Sequence, residues 1–160
     1  IVAKRAKYGF DMNIRYSNRS QLSPELEDGA IFHETVEDML PHCDFLSLNC
    51  PATPDTIDLM NAERLALLPD GAILVNTSRG AVVDEDALID ALNSGKLAAA
   101  GLDVYKGEPG VNPKIAELTN TFLMPHIGSS TFETRDAMGF LALDNLDAFF
   151  RGKEPPTRVA

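Results

Sequence analysis

Ala72-Ile73-Leu74-Val75-Asn76-Thr77-Ser78-Arg79-Gly80 decides how this chain reads. Four apolar residues in succession, without polar alternation, describe a strand covered on both faces, as in parallel sheets. Pro69-Asp70-Gly71 turns the chain into that strand, and Asn76 to Gly80 leave it with an arginine. Downstream, Asp84 is placed to cap a helix running through Asn93, with Ala87, Leu88, Ala91 and Leu92 at helical spacing and Gly95 ending it.

The same alternation extends in both directions. Towards the C-terminus, Leu97 to Val104 reads as a small-residue strand and Thr121 to Met124 as another. A last helix runs from about Thr131 to Phe150, closed by Gly152 and Pro155-Pro156. Towards the N-terminus, Asn61 caps a helix through Leu68, and Phe45 to Asn49 is a strand stopped by Pro51 and Pro54. Thr35 caps a short helix from Val36 to about Pro41, Ser23-Pro24-Glu25 opens another, and Met12 to Ser17 is a short alternating strand. Residues 1–8 have helical composition without a start signal, and Gly9 is expected to end that helix. No tight hairpin joins two strands, so the expected fold is α/β: a parallel sheet with helices on both faces and right-handed crossovers.

The last helix carries Met138, Phe140, Leu141, Leu143, Leu146, Phe149 and Phe150, more than the stripe of about 100° that one-sided packing needs. The ordinary reading is a core helix wedged between layers. The sharper one is a face that meets a second domain or subunit.

Composition bounds the function. The chain has 160 residues, is 44% hydrophobic and 24% charged, and so is globular rather than disordered. Fourteen basic and 24 acidic residues give a net charge of −10, which repels nucleic acid and anionic membrane. Any anion site must therefore be a local basic focus, such as Arg19 or Arg79. Cys43 and Cys50 match neither a metal spacing nor a disulfide framework, and a reducing, cytoplasmic setting is expected. No apolar run approaches the ~20 residues needed to span a bilayer, and no signal peptide is discernible.

Ligands of open parallel sheets bind beyond the carboxyl ends of the strands. Arg79 follows one expected strand, Glu108 a second and His126 a third. An anion clamp and an acid/base pair at one sheet edge are the minimum set for reducing a 2-keto acid. Singly, each has a plain explanation: a solvated charge, a turn residue between Gly107 and Pro109, a structural histidine. His33 and His42 keep the structural reading.

These motifs carry a resemblance. Asn76-Thr77-Ser78-Arg79-Gly80 with Val83-Asp84-Glu85, Gly101-Leu102-Asp103-Val104-Tyr105 leading to Glu108-Pro109, Pro125-His126-Ile127-Gly128, and Leu48-Asn49-Cys50-Pro51 with Thr53, Pro54 and Thr56 lie in family order and spacing. Together they resemble the NAD(P)-binding, Rossmann-type domain of the D-isomer-specific 2-hydroxyacid dehydrogenases, most closely the glyoxylate/hydroxypyruvate reductase (glycerate dehydrogenase) branch. The resemblance implies that Arg79 holds the substrate carboxylate and polarises the carbonyl. His126 would be the acid that protonates the carbonyl oxygen, and Glu108 would hydrogen-bond His126, fixing its tautomer and favouring its charged form. Asp103 would contact the nicotinamide carboxamide. Thr77, Ser78, Cys50, Pro51 and Thr56 would line the cofactor cleft with Arg79, His126 and Gly128, although Cys50 and Pro51 could simply end a strand.

An acidic residue after the second strand of such domains favours NAD. Here that place reads Ser17-Asn18-Arg19-Ser20, in which Asn18 carries no repelling charge and Arg19 with Ser20 could bind a 2′-phosphate. NADP(H) is therefore favoured, with NAD(H) possible. The family's Gly-x-Gly-x-x-Gly loop and the strand before it have no counterpart here; that strand is central in the order 3-2-1-4-5-6. The expectation is about half of an enzyme, inactive alone: residues 1–150 an N-terminally truncated dinucleotide-binding domain, and residues 151–160 the segment returning to an absent substrate domain. A homodimer acting on a small 2-keto acid, glyoxylate or hydroxypyruvate, is the leading expectation. Phosphoglycerate and phosphite dehydrogenases remain open. So does a dinucleotide-sensing corepressor of the same superfamily, disfavoured by the lack of a basic or peptide-binding extension. Formate dehydrogenase is disfavoured because its histidine partner is a glutamine, where this chain has Glu108.

Overall fold

The computed structural model describes residues 1–159; Ala160, the last residue of the expected returning segment, lies outside the described residues. The elements alternate as α1 (Val2–Phe10), β1 (Arg15–Ser17), α2 (Pro24–Glu27), β2 (Ile31–His33), α3 (Val36–Met39), β3 (Phe45–Leu48), α4 (Ala62–Leu67), β4 (Ala72–Asn76), α5 (Glu85–Asn93), β5 (Leu97–Leu102), α6 (Pro113–Ala116), β6 (Thr121–Leu123) and α7 (Phe132–Phe150). Single 3₁₀ turns cover Leu40–His42 and Gly80–Val82. Every strand pair is parallel. The chain divides into one compact unit, Ile1–Met124, and a second that begins at Pro125.

Within the first unit the strands form two sheets, β1-β2 and β3-β4-β5-β6. No strand pairing joins the two sheets among the described residues. β4 has no exposed residue, as its unbroken apolar run predicts, because β3 and β5 flank it and buried side chains of α4 and α5 share its core cluster. Leu74 at its centre is fully buried, with Leu46 and Leu48 of β3 and Leu97, Ala100 and Leu102 of β5 buried around it. Burying one such leucine stabilises the fold by about 1.5–3 kcal/mol. Leu65 of α4, Leu88 and Leu92 of α5 and Ile115 of α6 close the core, and α4 packs on α5 and α5 on α6. The whole core lies between Met39 and Ile115.

Local chemistry explains the helix starts. Thr35 accepts from the Asp38 N–H, Asn61 from the Arg64 N–H, and Asp84 from the Asp86 and Ala87 N–H groups, three caps read from sequence. Gly71, Gly95 and Gly152 take the left-handed conformation at their turns. Four differences are informative. Gly9 lies inside α1, and Asp11 takes the left-handed cap instead, at φ 54°. β1 begins at Arg15 rather than Met12, and β5 ends at Leu102 rather than Val104. β2 and α6 were not expected, because a three-residue strand and a four-residue helix are too short to show a period. Finally, α7 is not a core helix: it has no buried residue, and Phe140 and Phe149 are 66% and 67% exposed.

In the second unit, Thr131 caps α7 by accepting the Thr134 N–H. The tail then folds back onto that helix, with the Asn145 amide donating to Thr157 Oγ1 at 2.8 Å and accepting the Thr157 N–H at 3.2 Å.

Candidate functional site

The arginine loop is built around a buried amide. Asn76 ends β4 at 1% exposure, where an unsatisfied side chain would be costly. Its Oδ1 accepts the Ser78 N–H at 3.0 Å and the Ser78 hydroxyl at 2.9 Å, while its Nδ2 donates to the Arg79 carbonyl at 3.0 Å. Those bonds bend Thr77, Ser78 and Arg79 out of the strand. Ser78 is half-buried, whereas Thr77 and Arg79 are exposed. Among the described residues the Arg79 guanidinium donates one bond, to the Ser78 carbonyl at 2.6 Å. An arginine has five N–H donors in a planar fork, so a carboxylate can be bound bidentately by the others.

The glutamate loop leaves the neighbouring strand. Asp103, next after β5, donates its N–H to the Asn76 carbonyl at 3.0 Å and is itself buried. Tyr105 is buried, its hydroxyl donating to the Met124 carbonyl at 2.7 Å, and burial pushes its phenol above the ordinary range. Glu108 Oε1 accepts the Tyr105 N–H at 2.9 Å, folding that exposed side chain back over its own loop. The two loops touch through backbone. A Cβ on Gly80 would lie 2.0–2.4 Å from the Tyr105 carbonyl carbon and oxygen and the Lys106 nitrogen, so only glycine fits there.

The other expected residues fall at strand exits. Cys50 and Pro51 follow β3; Thr56 Oγ1 donates to the Pro51 carbonyl at 2.6 Å and accepts the Thr53 N–H at 2.7 Å, closing the loop on itself. Cys50 is half-buried, and burial raises its thiol above the ordinary range. Asn18, Arg19 and Ser20 follow β1, in the two-stranded sheet, and all three are exposed. Asn18 Oδ1 accepts the Arg19 N–H at 3.0 Å, and Arg19 forms no ion pair among the described residues. The first unit thus brings Cys50, Pro51, Thr56, Thr77, Ser78, Arg79, Asp103 and Glu108 to the exits of three adjacent strands, with Asn18–Ser20 on a separate sheet. His126 and Gly128 belong to the second unit. His126 is exposed and has a left-handed backbone, φ 52°, a conformation uncommon outside glycine and frequent at functional positions. The His33 and His42 rings lie tilted with centroids 5.8 Å apart, and Arg15 donates to His33 at 3.1 Å, which suits the structural reading of both. No group of three His, Cys, Asp or Glu among the described residues could hold a metal.

Sequence reasoning missed Asn76 as an organiser. A polar residue closing a run of four apolar ones was the available signal, since a buried amide must find several partners.

The sequence model of the D-isomer specific 2-hydroxyacid dehydrogenase, NAD binding domain, matches residues 1–128. The chain belongs to this family. It is 47% identical over 158 residues to a glyoxylate reductase of Pyrococcus furiosus, covering 99% of the chain and 47% of that relative. It is 44% identical over 155 residues to a glycerate dehydrogenase of Hyphomicrobium methylovorum, covering 96% and 48%. An NADPH-dependent glyoxylate/hydroxypyruvate reductase of Sinorhizobium meliloti, crystallised with NADP and malonate, superposes with a TM-score of 0.92 at 37% identity, covering 98% of the chain and 48% of that structure. The chain therefore spans about half the length of these 2-hydroxyacid dehydrogenases. The Rossmann-type parallel sheet agrees with the family's NAD-binding domain. No helix among the described residues is long and apolar enough to cross a membrane.

Proposed function

We propose that the protein to which this chain belongs reduces a small 2-keto acid, glyoxylate or hydroxypyruvate, to the 2-hydroxy acid with a nicotinamide cofactor. The observation that carries this reading is the packing of the Arg79 loop on the Glu108 loop through the backbone of Gly80, at the exits of adjacent parallel strands. The relatives named glyoxylate reductase and glycerate dehydrogenase support it.

The residues present fit a dinucleotide: hydroxyls at Thr56, Thr77 and Ser78, and a buried carboxylate at Asp103, lie at or beyond strand exits, and a basic residue follows β1. Asp103 would accept from the carboxamide, Cys50, Pro51, Thr56, Thr77 and Ser78 would line the cleft with Gly128, and Asn18, Arg19 and Ser20 would bind the adenosine ribose. The cofactor, when bound, supplies the hydride. Arg79 would grip the substrate carboxylate and polarise the ketone. His126 would deliver the proton to the carbonyl oxygen and recover it in the reverse direction, with Glu108 accepting its other ring N–H. Two charge-assisted contacts orient the acid before any bond changes, which is where positioning lowers a barrier.

NADP(H) is the preferred cofactor in this proposal. Arg19 is an exposed cation without an acidic partner among the described residues, in a chain of net charge −10, and Asn18 adds no repelling carboxylate. The protein acts in the cytoplasm, consistent with two free cysteines, and as a homodimer, for which the exposed apolar side chains of α7 offer surface.

The test is cofactor oxidation by the full-length protein on addition of glyoxylate or hydroxypyruvate, with specificity constants compared for NADPH and NADH. Oxidation with a clear NADPH preference is expected. A clear NADH preference would remove the 2′-phosphate role of Arg19, and no oxidation with either cofactor would remove the proposed activity.

A further inference from the structure

Glu85 is the first residue of α5, and its carboxylate is committed away from its own helix. Its Oε1 accepts the Lys106 backbone N–H at 2.9 Å, and its Oε2 accepts from the Asn112 amide at 3.2 Å. Lys106 and Asn112 are the two ends of the loop that carries Glu108. Between them every residue from Lys106 to Val111 is exposed, so packing does not hold this loop. A glutamate that served only the positive end of a helix could point to solvent. This one bridges both stems of a loop more than twenty residues away.

The surrounding bonds make the same connection. Lys106 Nζ pairs with Asp58 Oδ1 at 2.7 Å, tying the loop to the segment that carries Thr56. The Asp58 N–H donates to the Ala81 carbonyl at 2.8 Å, just past Arg79. Asn112 Oδ1 accepts the Lys114 N–H, leaving its amide nitrogen to reach Glu85. Cleft loop, arginine loop and glutamate loop are thus joined by Asp58, Lys106, Glu85 and Asn112.

We infer that Glu85 is a positioning residue of the reductase, clamping both ends of the Lys106–Asn112 loop so that Glu108 is held in place for His126. The inference rests on the proposed function for its catalytic consequence, though the clamp itself can be read without turnover. Glu85 touches neither substrate nor cofactor in this account. Releasing it frees the loop, lowers the fraction of enzyme with Glu108 in place, and leaves cofactor binding alone.

Glu85→Ala in the full-length protein should lower kcat about tenfold to a hundredfold, the scale set by small misplacements of catalytic groups, with the KM for NADPH unchanged. Glu85→Gln, which keeps one acceptor, should fall between Ala and wild type. Asn112→Asp, which keeps the helix cap but faces Glu85 with a second carboxylate, should reproduce the loss if Glu85→Ala fails to fold. In a Glu108→Gln background, Glu85→Ala should cost nothing further, because both act through one group. Amide exchange at Tyr105 and Lys106 should accelerate in Glu85→Ala while β4 stays protected. Unchanged kcat, full multiplication of the two losses, or unchanged exchange at Tyr105 and Lys106 would each overturn the clamp. A wild-type protein that turns over no 2-keto acid defeats the functional reading instead, and the exchange measurement then decides the clamp by itself.

Discussion

Two regions of the first unit are held together by different physics. From Met39 to Ile115 the chain is built on an apolar core, with Leu40, Met60, Leu74, Leu97 and Ile115 fully buried. Before Met39 no described residue is buried to that degree. There the contacts are polar: the Tyr8 hydroxyl lies 2.7 and 2.9 Å from the two Asp28 oxygens, Lys7 pairs with Asp28, and Tyr16 and Gln21 both donate to Glu27. The region with its own core carries Arg79 and Glu108, which the proposed reaction requires to be placed to fractions of an ångström. The polar region carries Asn18 to Ser20, whose proposed task, recognising one end of a cofactor, tolerates a looser frame.

That contrast breaks first at the core. Leu74→Ala should cost about 2–5 kcal/mol of stability, the range for truncating a fully buried leucine, read by urea unfolding of the 160-residue polypeptide. A cost under 1 kcal/mol would mean that the four-stranded region is not held by this core. Gly80→Ala should come next, at about 1–3 kcal/mol or more, because the new methyl must displace the Tyr105 and Lys106 backbone rather than a flexible side chain. The same change in the full-length protein should lower kcat, as it separates the arginine loop from the glutamate loop.

The smallest expected effect concerns acid, and it sharpens the contrast. The Glu27 carboxyl lies below its ordinary range chiefly because Tyr16, then Gln21, donates to it; that of Asp28 is lowered chiefly by Tyr8, then Lys7. A folded-state value below the unfolded one contributes stability that is complete above the unfolded value and is lost as pH falls through the folded one. Asp70, at the entry to β4, is lowered in the same way by Lys96, but β4 and β5 are also held by the buried core, so acidification below the usual carboxylate range should reduce amide protection in β1 and β2 before β4 and β5. Equal loss in both sheets would show that the two regions form one cooperative unit.

How much of this was legible depended on how local the cause was. The strands at Ala72 and Leu97 and the caps at Thr35, Asn61 and Asp84 follow from composition within a few residues, and they are where the sequence puts them. β2 was hidden because Ile31-Phe32-His33 is too short to have a period, and its partner lies sixteen residues earlier. The apolarity of α7 was plain, but burial depends on what covers a face, and its own sequence carries no record of that. Arg79, Glu108 and His126 stood out through their places after strands. Asn76 and Glu85 did not, because their roles lie in bonds to loops that meet only when the sheet forms.

The proposed proton transfer turns on His126. In the full-length protein, His126→Ala should reduce 2-keto acid turnover by several orders of magnitude while NADPH binds with nearly wild-type affinity, since the substitution removes the proton donor and only one of the many side chains proposed to line the dinucleotide cleft. Retention of substantial turnover in that variant, with NADPH still bound, would contradict the assignment of the acid and with it the reading of the Arg79, Glu108 and His126 trio.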